Sequence, residues 1–177
     1  MKQERLKLYT IDLKYVRNLA NVDRNVMSTS PQVGKSTRPF VGIIIICEDK
    51  QYCVPLSSPK QKHYSMKNDS DFTKILDGDK LLGVLNFNCM IPVNEQVIRK
   101  IDMKISASDN ANTISYKKLM AKQISFCQKN QDAIVRKANK LYELIVCNKT
   151  SVKLKKRCCD FRRLETVLEK YLSKGNR

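Results

Sequence analysis

The chain has 177 residues, enough for one domain that buries roughly 70% of the surface its unfolded form exposes. Its 34 Lys and Arg stand against 17 Asp and Glu, a net charge of +17 that attracts polyanions, so nucleic acid or an anionic membrane is the expected class of partner. The longest apolar run, around Ile43 to Ile46, falls far short of the roughly 20 residues of a membrane span, and the opening MKQERLKLYT lacks the apolar centre of a secretory signal; a soluble, cytoplasmic protein is expected.

Lys7–Ile11 alternates as a short strand, after which Asp12 can cap a helix from Leu13 to about Asp23, with Leu13, Val16, Leu19 and Ala20 on one face. Tyr15 lies beside the cations of that helix, where position alone favours an aromatic that closes the helix against a sheet. Val26–Pro39 is rich in Ser, Thr, Pro and Gly and reads as a loop delivering Lys35 and Arg38 to the next strand. The stretch Phe40–His63, FVGIIIICEDKQYCVPLSSPKQKH, is a β-branched strand, a polar reversal, a second strand at Tyr52–Leu56, and a proline-fixed loop carrying Ser57, Ser58 and Lys60.

Beyond His63, the polar segment Tyr64–Lys80 reads as a loop with one turn of helix around Phe72–Leu76, and Asp77 and Asp79 mark a turn. Leu81–Phe87 reads as a strand with a possible bulge at Gly83, and Cys89–Val93 as a short strand that Pro92 places at an edge. From Val97 the period changes. Helical spacing relates Tyr116 to Cys127, Ile134 to Val146, and Phe161 to Tyr171, with Asn148–Arg157 as the link before the last helix. The expected fold is α+β: a curled antiparallel sheet in residues 1–96 with an N-terminal helix, and mainly basic helices in 97–177.

Residues 113–177 hold 17 Lys and Arg against 5 Asp and Glu. Lys117, Lys118, Lys122, Lys129, Arg136, Lys137, Lys155, Lys156 and Arg157 lie within this basic stretch; a merely solvated face mixes both signs, whereas a polyanion-binding face does not. Seven cysteines, an odd number without a CxxC pair, suggest buried free thiols rather than a disulfide framework or a zinc site. Motifs for nucleotide hydrolysis, dinucleotide binding and zinc proteolysis are absent, so neither a metal nor a cofactor is expected.

What remains is a basic protein with Ser, Lys, Arg and Tyr around one loop. RNA supplies its own nucleophile: a 2′-OH can attack the adjacent phosphodiester if the protein aligns the atoms and neutralises the transition state. Lys60 and Arg38 suit that clamp. Ser58 can donate to a non-bridging oxygen, and His63 is the one side chain whose ordinary pKa suits proton transfer near neutrality. Taken alone, Ser57-Ser58-Pro59 also reads as a strand-ending turn, a non-catalytic RNA-binding protein remains a competing reading, and so does a DNA-binding regulator using a C-terminal helix.

The segments LYTIDLKYV (Leu8–Val16), PFVGIIIICEDKQYCVPLSSPKQKH (Pro39–His63), LGVLNFNCMIPV (Leu82–Val93) and YKKLMAKQISFCQKNQDAI (Tyr116–Ile134) together resemble the ToxN/AbiQ family, the endoribonuclease toxins of type III toxin–antitoxin systems. The resemblance implies a Kid/MazF-like β-barrel elaborated by helices, and metal-independent cutting of single-stranded, adenine-rich RNA. It implies a small repeated RNA pseudoknot as antitoxin, closed toxin–RNA rings, and growth arrest during phage infection, with cellular and phage RNA as substrates. Position by position, it points to Ser58 as the central hydroxyl, with Ser57 beside it, Lys60 as cationic partner and Tyr15 as the active-site tyrosine. Arg38 stands where the family has a lysine, with Lys35 the alternative, and Lys62 takes a position that is aromatic in some relatives.

Overall fold

A computed structural model of the chain describes residues 3–27, 40–46 and 49–175, the strand at 40–46 by its backbone. Leu8–Ile11 forms β1 and Leu13–Val22 forms α1, whose start is fixed where Asp12 Oδ1 accepts from the Tyr15 amide at 2.7 Å. Phe40–Ile46 (β2) and Lys50–Ser57 (β3) pair antiparallel. Asp49, just before β3, has φ 59°, a left-handed conformation that Asp tolerates better than most residues; it serves a reversal that lacks Asn-Gly.

A short helix, Gln61–Ser65 (α2), follows β3. Phe72–Asp77 (β4) and Lys80–Asn86 (β5) then form a hairpin over a turn in which Gly78 takes φ 58°. The helical turn expected at Phe72–Leu76 is therefore a strand. The i, i+3 spacing of buried Phe72 and Ile75 imitates a helix, but β4 pairs with β5 along its whole length, and those ladder bonds decide the conformation. The register slips between Ile75 and Leu76, opposite the Leu81–Gly83 stretch, close to the expected bulge.

Ile91–Val93 (β6) lies along β3 at Gln51–Cys53, and Ile98–Lys100 (β7) pairs with β1. β7 falls in the part expected to be helical; three residues are too few to show a period. The helices Ala111–Lys129 (α3), Gln131–Val146 (α4) and Phe161–Gly175 (α6) match the three periodic runs. Val152–Arg157 (α5), inside the expected link, is started by Ser151, whose hydroxyl accepts from the Leu154 amide at 3.2 Å.

The strand order is β4-β5-β3-β2-β1-β7, with β6 on β3 and every pairing antiparallel. β4 and β7 stand at the two ends of this path, so the described strands make an open sheet rather than the closed barrel expected; the α+β class and helical C-terminal part hold. Of the described helices, none is long and apolar enough to cross a membrane. Cys53, Cys127, Cys158 and Cys159 are buried free thiols, Cys89 is half-buried and Cys147 exposed; Cys47 lies outside the described residues.

β3 is the spine. Tyr52–Leu56 is buried throughout, and Tyr52 meets the rings of Tyr142 and Phe161 with centroids 5.7 and 5.8 Å away. Above these rings lies Glu165 of α6, only 5% exposed. It accepts from Tyr52 Oη at 2.8 Å, Tyr142 Oη at 2.7 Å, Lys50 Nζ at 2.8 Å and Arg162 Nη1 at 3.3 Å. Burial alone would raise its pKa, but the bonds from Lys50, Tyr142 and Tyr52 outweigh that and hold it below the ordinary carboxylate value. At its other end β3 is passed closely by Gly83, where an added Cβ would come within 2.9 Å of Gln123 Nε2 and 3.1 Å of the Ser57 carbonyl.

Glu165→Ala removes the carboxylate that accepts from two buried tyrosine hydroxyls and two cations, and is expected to cost about 2–4 kcal/mol in urea unfolding at neutral pH. A loss below about 0.5 kcal/mol would mean the network contributes no more than a surface pair.

Candidate functional site at the end of β3

β3 ends in a loop whose polar groups face outward. Ser58 and Lys60 are exposed and Ser57 half-buried; the Ser58 hydroxyl has no hydrogen-bond partner among the described residues, and Lys60 is in no ion pair there. Ser57 is paired with Val84 of β5, and its hydroxyl accepts from Asn86 Nδ2 at 3.1 Å, so the loop leaves a fixed strand end. Pro59 then leads into α2. The Lys60 carbonyl accepts from the His63 amide at 2.8 Å, while the Lys60 amide donates to His63 Nδ1 at 2.9 Å, a reciprocal pair that fixes the backbone of the lysine.

His63 is 5% exposed and packs against Phe72 with ring centroids 5.4 Å apart. Its pKa is lowered, first by burial and then by Lys62, Lys60 and Lys74. Because Nδ1 accepts, the ring is neutral with its proton on Nε2. This bears on the proton-transfer role expected of it, since charging the ring would break the bond that holds Lys60.

Beside the loop is a cavity of about 490 Å³, lined by Lys62, His63, Phe72, Asn86, Asn88 and Arg157 among others. Arg157 forms its rigid wall: Nε meets Asp71 Oδ2 at 2.6 Å, Nη2 meets Asp71 Oδ1 at 3.0 Å, and Asp69 Oδ2 lies 3.6 Å from Nη2. Asn88 holds the Arg157 carbonyl at 2.9 Å. Asn86, Asn88 and Asp71 escaped the sequence reading, as did Tyr64, an aromatic on α2 that is 61% exposed. An unburied aromatic beside Lys62 was the one available signal.

Tyr15 is placed elsewhere. It is fully buried, its hydroxyl donates to the Pro92 carbonyl at 2.6 Å, and burial with nearby Cys53 raises its pKa well above the ordinary phenol value. Pro92 pairs with Tyr52, five residues before Ser57 and so about 17 Å along a strand. Tyr15 thus closes α1 against the sheet, and the described geometry does not bring its hydroxyl to the loop. Arg38 and Lys35 lie outside the described residues.

The basic helices divide into engaged and open cations. Lys117 bonds Asp109 at 2.7 Å and Lys122 bonds Asp77 at 2.7 Å. Lys137 donates to Thr73 Oγ1 at 2.6 Å and to the Phe72 carbonyl at 3.2 Å, and burial lowers its pKa. Lys155 donates to Asn148 at 2.7 Å. Lys118, Lys129, Arg136 and Lys156 are exposed and in no ion pair among the described residues. Lys155 and Lys156 line a separate hollow of about 780 Å³ between the end of α1 and α5–α6, together with Arg24, Arg162 and Arg163. Among the described residues no three His, Cys, Asp or Glu side chains gather as a metal site.

The family described as toxin ToxN of type III toxin–antitoxin systems matches residues 7–169. The chain is 35% identical over 170 residues to an endoribonuclease ToxN of Bacillus thuringiensis subsp. kurstaki, covering 93% of this chain and 84% of the relative. It is 29% identical over 174 residues to an endoribonuclease ToxN of Pectobacterium atrosepticum, covering 96% and 94%. A solved type III toxin described as selectively inhibited by a non-coding RNA pseudoknot superposes with TM-score 0.79 at 33% identity, covering 96% of this chain and 99% of that one. AbiQ, a lactococcal anti-phage endoribonuclease, shares the fold with TM-score 0.82 at 22% identity, covering 96% and 99%.

With a folded-state pKa below the unfolded value of 6.5, His63 favours folding fully above that value, and its contribution is lost as pH falls below it. The chain has one histidine, so stability is expected to drop between about pH 7.5 and about pH 5.5, and His63→Asn should flatten that segment of the profile. Urea unfolding across the window measures it; equal slopes for both proteins would show that the ring is not held neutral.

Proposed function

The chain belongs to the ToxN family of type III toxin–antitoxin toxins, and from that membership and the open Ser57–Lys60 loop we propose that it is an endoribonuclease cutting single-stranded, adenine-rich RNA without a metal ion. The observation that carries this reading is the exposed Ser58 hydroxyl two residues from a lysine whose backbone is pinned by His63.

In the proposed reaction a ribose 2′-oxygen bonds to the adjacent phosphorus, its proton leaves to solvent or a neighbouring base, and the bond to the 5′-oxygen breaks as that oxygen takes up a proton. The products are a 2′,3′-cyclic phosphate and a 5′-OH. Ser58 donates to a non-bridging oxygen and the Lys60 ammonium neutralises the charge that develops there. Ser57, held by Asn86, sets the loop's origin. His63 acts as a positioning residue for Lys60 rather than as a proton shuttle, because its Nδ1 is occupied. Arg38 or Lys35 supplies the family's further cation. Tyr15, with its hydroxyl bound to Pro92, stays out of the chemical step in this geometry.

RNA leaves the loop past Lys62 and Tyr64, where a base can stack, and follows open cations such as Lys118, Lys129 and Arg136. One relative is described as inhibited by an RNA pseudoknot, and another solved structure, 29% identical, as an antiviral system regulated by a processed non-coding RNA. By that kinship this chain pairs with a repeated pseudoknot antitoxin that it excises from its precursor, assembles with it into closed rings, and acts in the cytoplasm on cellular and phage RNA. The kinship of its sheet to the Kid/MazF toxins belongs to the same proposal, supported by the antiparallel pairing throughout.

Ser58→Ala and Lys60→Ala are each expected to lower cleavage of a single-stranded RNA by about 10²–10³-fold while largely keeping affinity. Lys118→Glu and Arg136→Glu should instead weaken binding and flatten its log–log salt dependence by about 0.7 for each phosphate that is no longer neutralised. Parallel cleavage assays and salt titrations decide; identical behaviour of the two groups would contradict the division between a reacting loop and binding helices.

A further inference from the structure

We propose that the cavity beside the loop takes one unstacked nucleobase, an adenine or cytosine adjoining the scissile phosphate, with His63 as its fixed hydrogen-bond donor. This rests on the endoribonuclease reading and names what that site recognises.

The Lys60 amide requires an acceptor at His63 Nδ1, so the ring's remaining polar atom is an Nε2–H donor. The ring lines the cavity, is 5% exposed, and Nε2 has no partner among the described residues. A buried donor without an acceptor costs about 1–3 kcal/mol, a cost that a bound acceptor removes. The charges on the wall say which acceptor. Asp71 and Asp69 are set against Arg157, so next to the buried ring the cavity offers carboxylate oxygens, while its two other cations, Lys62 and Lys67, are exposed side chains. Phosphate suits the exposed ammonium groups of Lys60, Lys62 and Lys67. A carboxylate or an asparagine oxygen instead suits an exocyclic amine, and a ring-nitrogen acceptor beside such an amine occurs on the pairing edges of adenine and cytosine. Uracil presents a ring N–H between two carbonyls, and so offers no amine and no ring acceptor there.

Size and place agree. About 490 Å³ falls within the roughly 300–1,000 Å³ of small-ligand clefts, and the guanidinium of Arg157, immobilised by its forked bonds to Asp71, presents a flat face for stacking. Asn86 lines the cavity and also holds Ser57, which sets the base beside the loop. Bases splayed out of a single strand are recognised in this way, by stacking together with hydrogen bonds to their edges.

Two measurements test it. In the wild-type protein the ring signals of the single histidine are followed by nitrogen NMR during titration with adenosine, cytidine and uridine 5′-monophosphates and with ribose 5-phosphate. The Nε2 signal should move with the first two and not with the last two; equal movement with all four, or none with any, overturns the proposal. In the second, cleavage sites on a randomised RNA are sequenced for wild type and His63→Asn, which keeps an oxygen near the Nδ1 position and loses the Nε2 donor. The variant should lose about 3–10-fold of the preference for adenine or cytosine over uracil at one nucleotide beside the cut. An unchanged preference overturns the proposal. A wild-type protein that cuts no RNA would instead overturn the endoribonuclease reading, while the titration still decides the cavity.

Discussion

The arrangement depends on one buried carboxylate. Glu165 sits over the aromatic cluster of Tyr52, Tyr142 and Phe161 and receives donors from β3, α4 and its own helix. A lone carboxylate in that place would be strongly disfavoured, and it is tolerated because its lone pairs are occupied by two hydroxyls and two cations. The result is that the helical part of the chain is locked to the start of β3. The far end of the same strand, pressed by Gly83 and paired with Val84, is where the chain turns outward at Ser57. A strand held at both ends gives the loop a rigid origin, which a reaction that runs by alignment needs more than it needs a strong base.

At the loop the histidine's service is geometric. Burial and three lysines keep it neutral, and neutrality keeps Nδ1 available to the Lys60 amide. Lys62 and Lys60, which the proposed function sets against RNA, thus also help burial to keep His63 from charging. Catalysis in such a site comes from cations placed where charge develops, and the substrate brings the nucleophile. The paired Arg157 and Asp71 form one wall of the cavity close to the exposed Lys62 and Lys67, so the proposed base site and the proposed phosphate contacts lie side by side.

Much of this was legible in the sequence. Apolar residues at helical spacing mark α3, α4 and α6 near their bounds, alternation marks β1, and the apolar runs of the hairpin mark β2 and β3. The exposure of Ser58 and Lys60 was legible because a proline-fixed loop after a buried strand has to lie outside, whereas Ser57 closes β3, half-buried. What failed was decided by distant partners. Phe72–Leu76 looks helical until β5 pairs with it, and β7 and α5 are too short to show a period. Lys117, Lys122, Lys137 and Arg157 read as one basic run, yet their acceptors lie on other segments, Asp71 being 86 residues from Arg157. The burial of Tyr15 and His63 and the cavity wall are likewise products of chain crossings that no local pattern records.

In the proposed reaction the loop makes RNA cut itself, with the 2′-oxygen as nucleophile. Phosphorus NMR on the fragments of a short single-stranded RNA incubated with the purified protein in excess chelator tests this most directly. The predicted result is a 2′,3′-cyclic phosphate on the upstream fragment. A fragment ending in a 3′-hydroxyl with the phosphate on the other piece, or no cleavage until a divalent ion is returned, would contradict it.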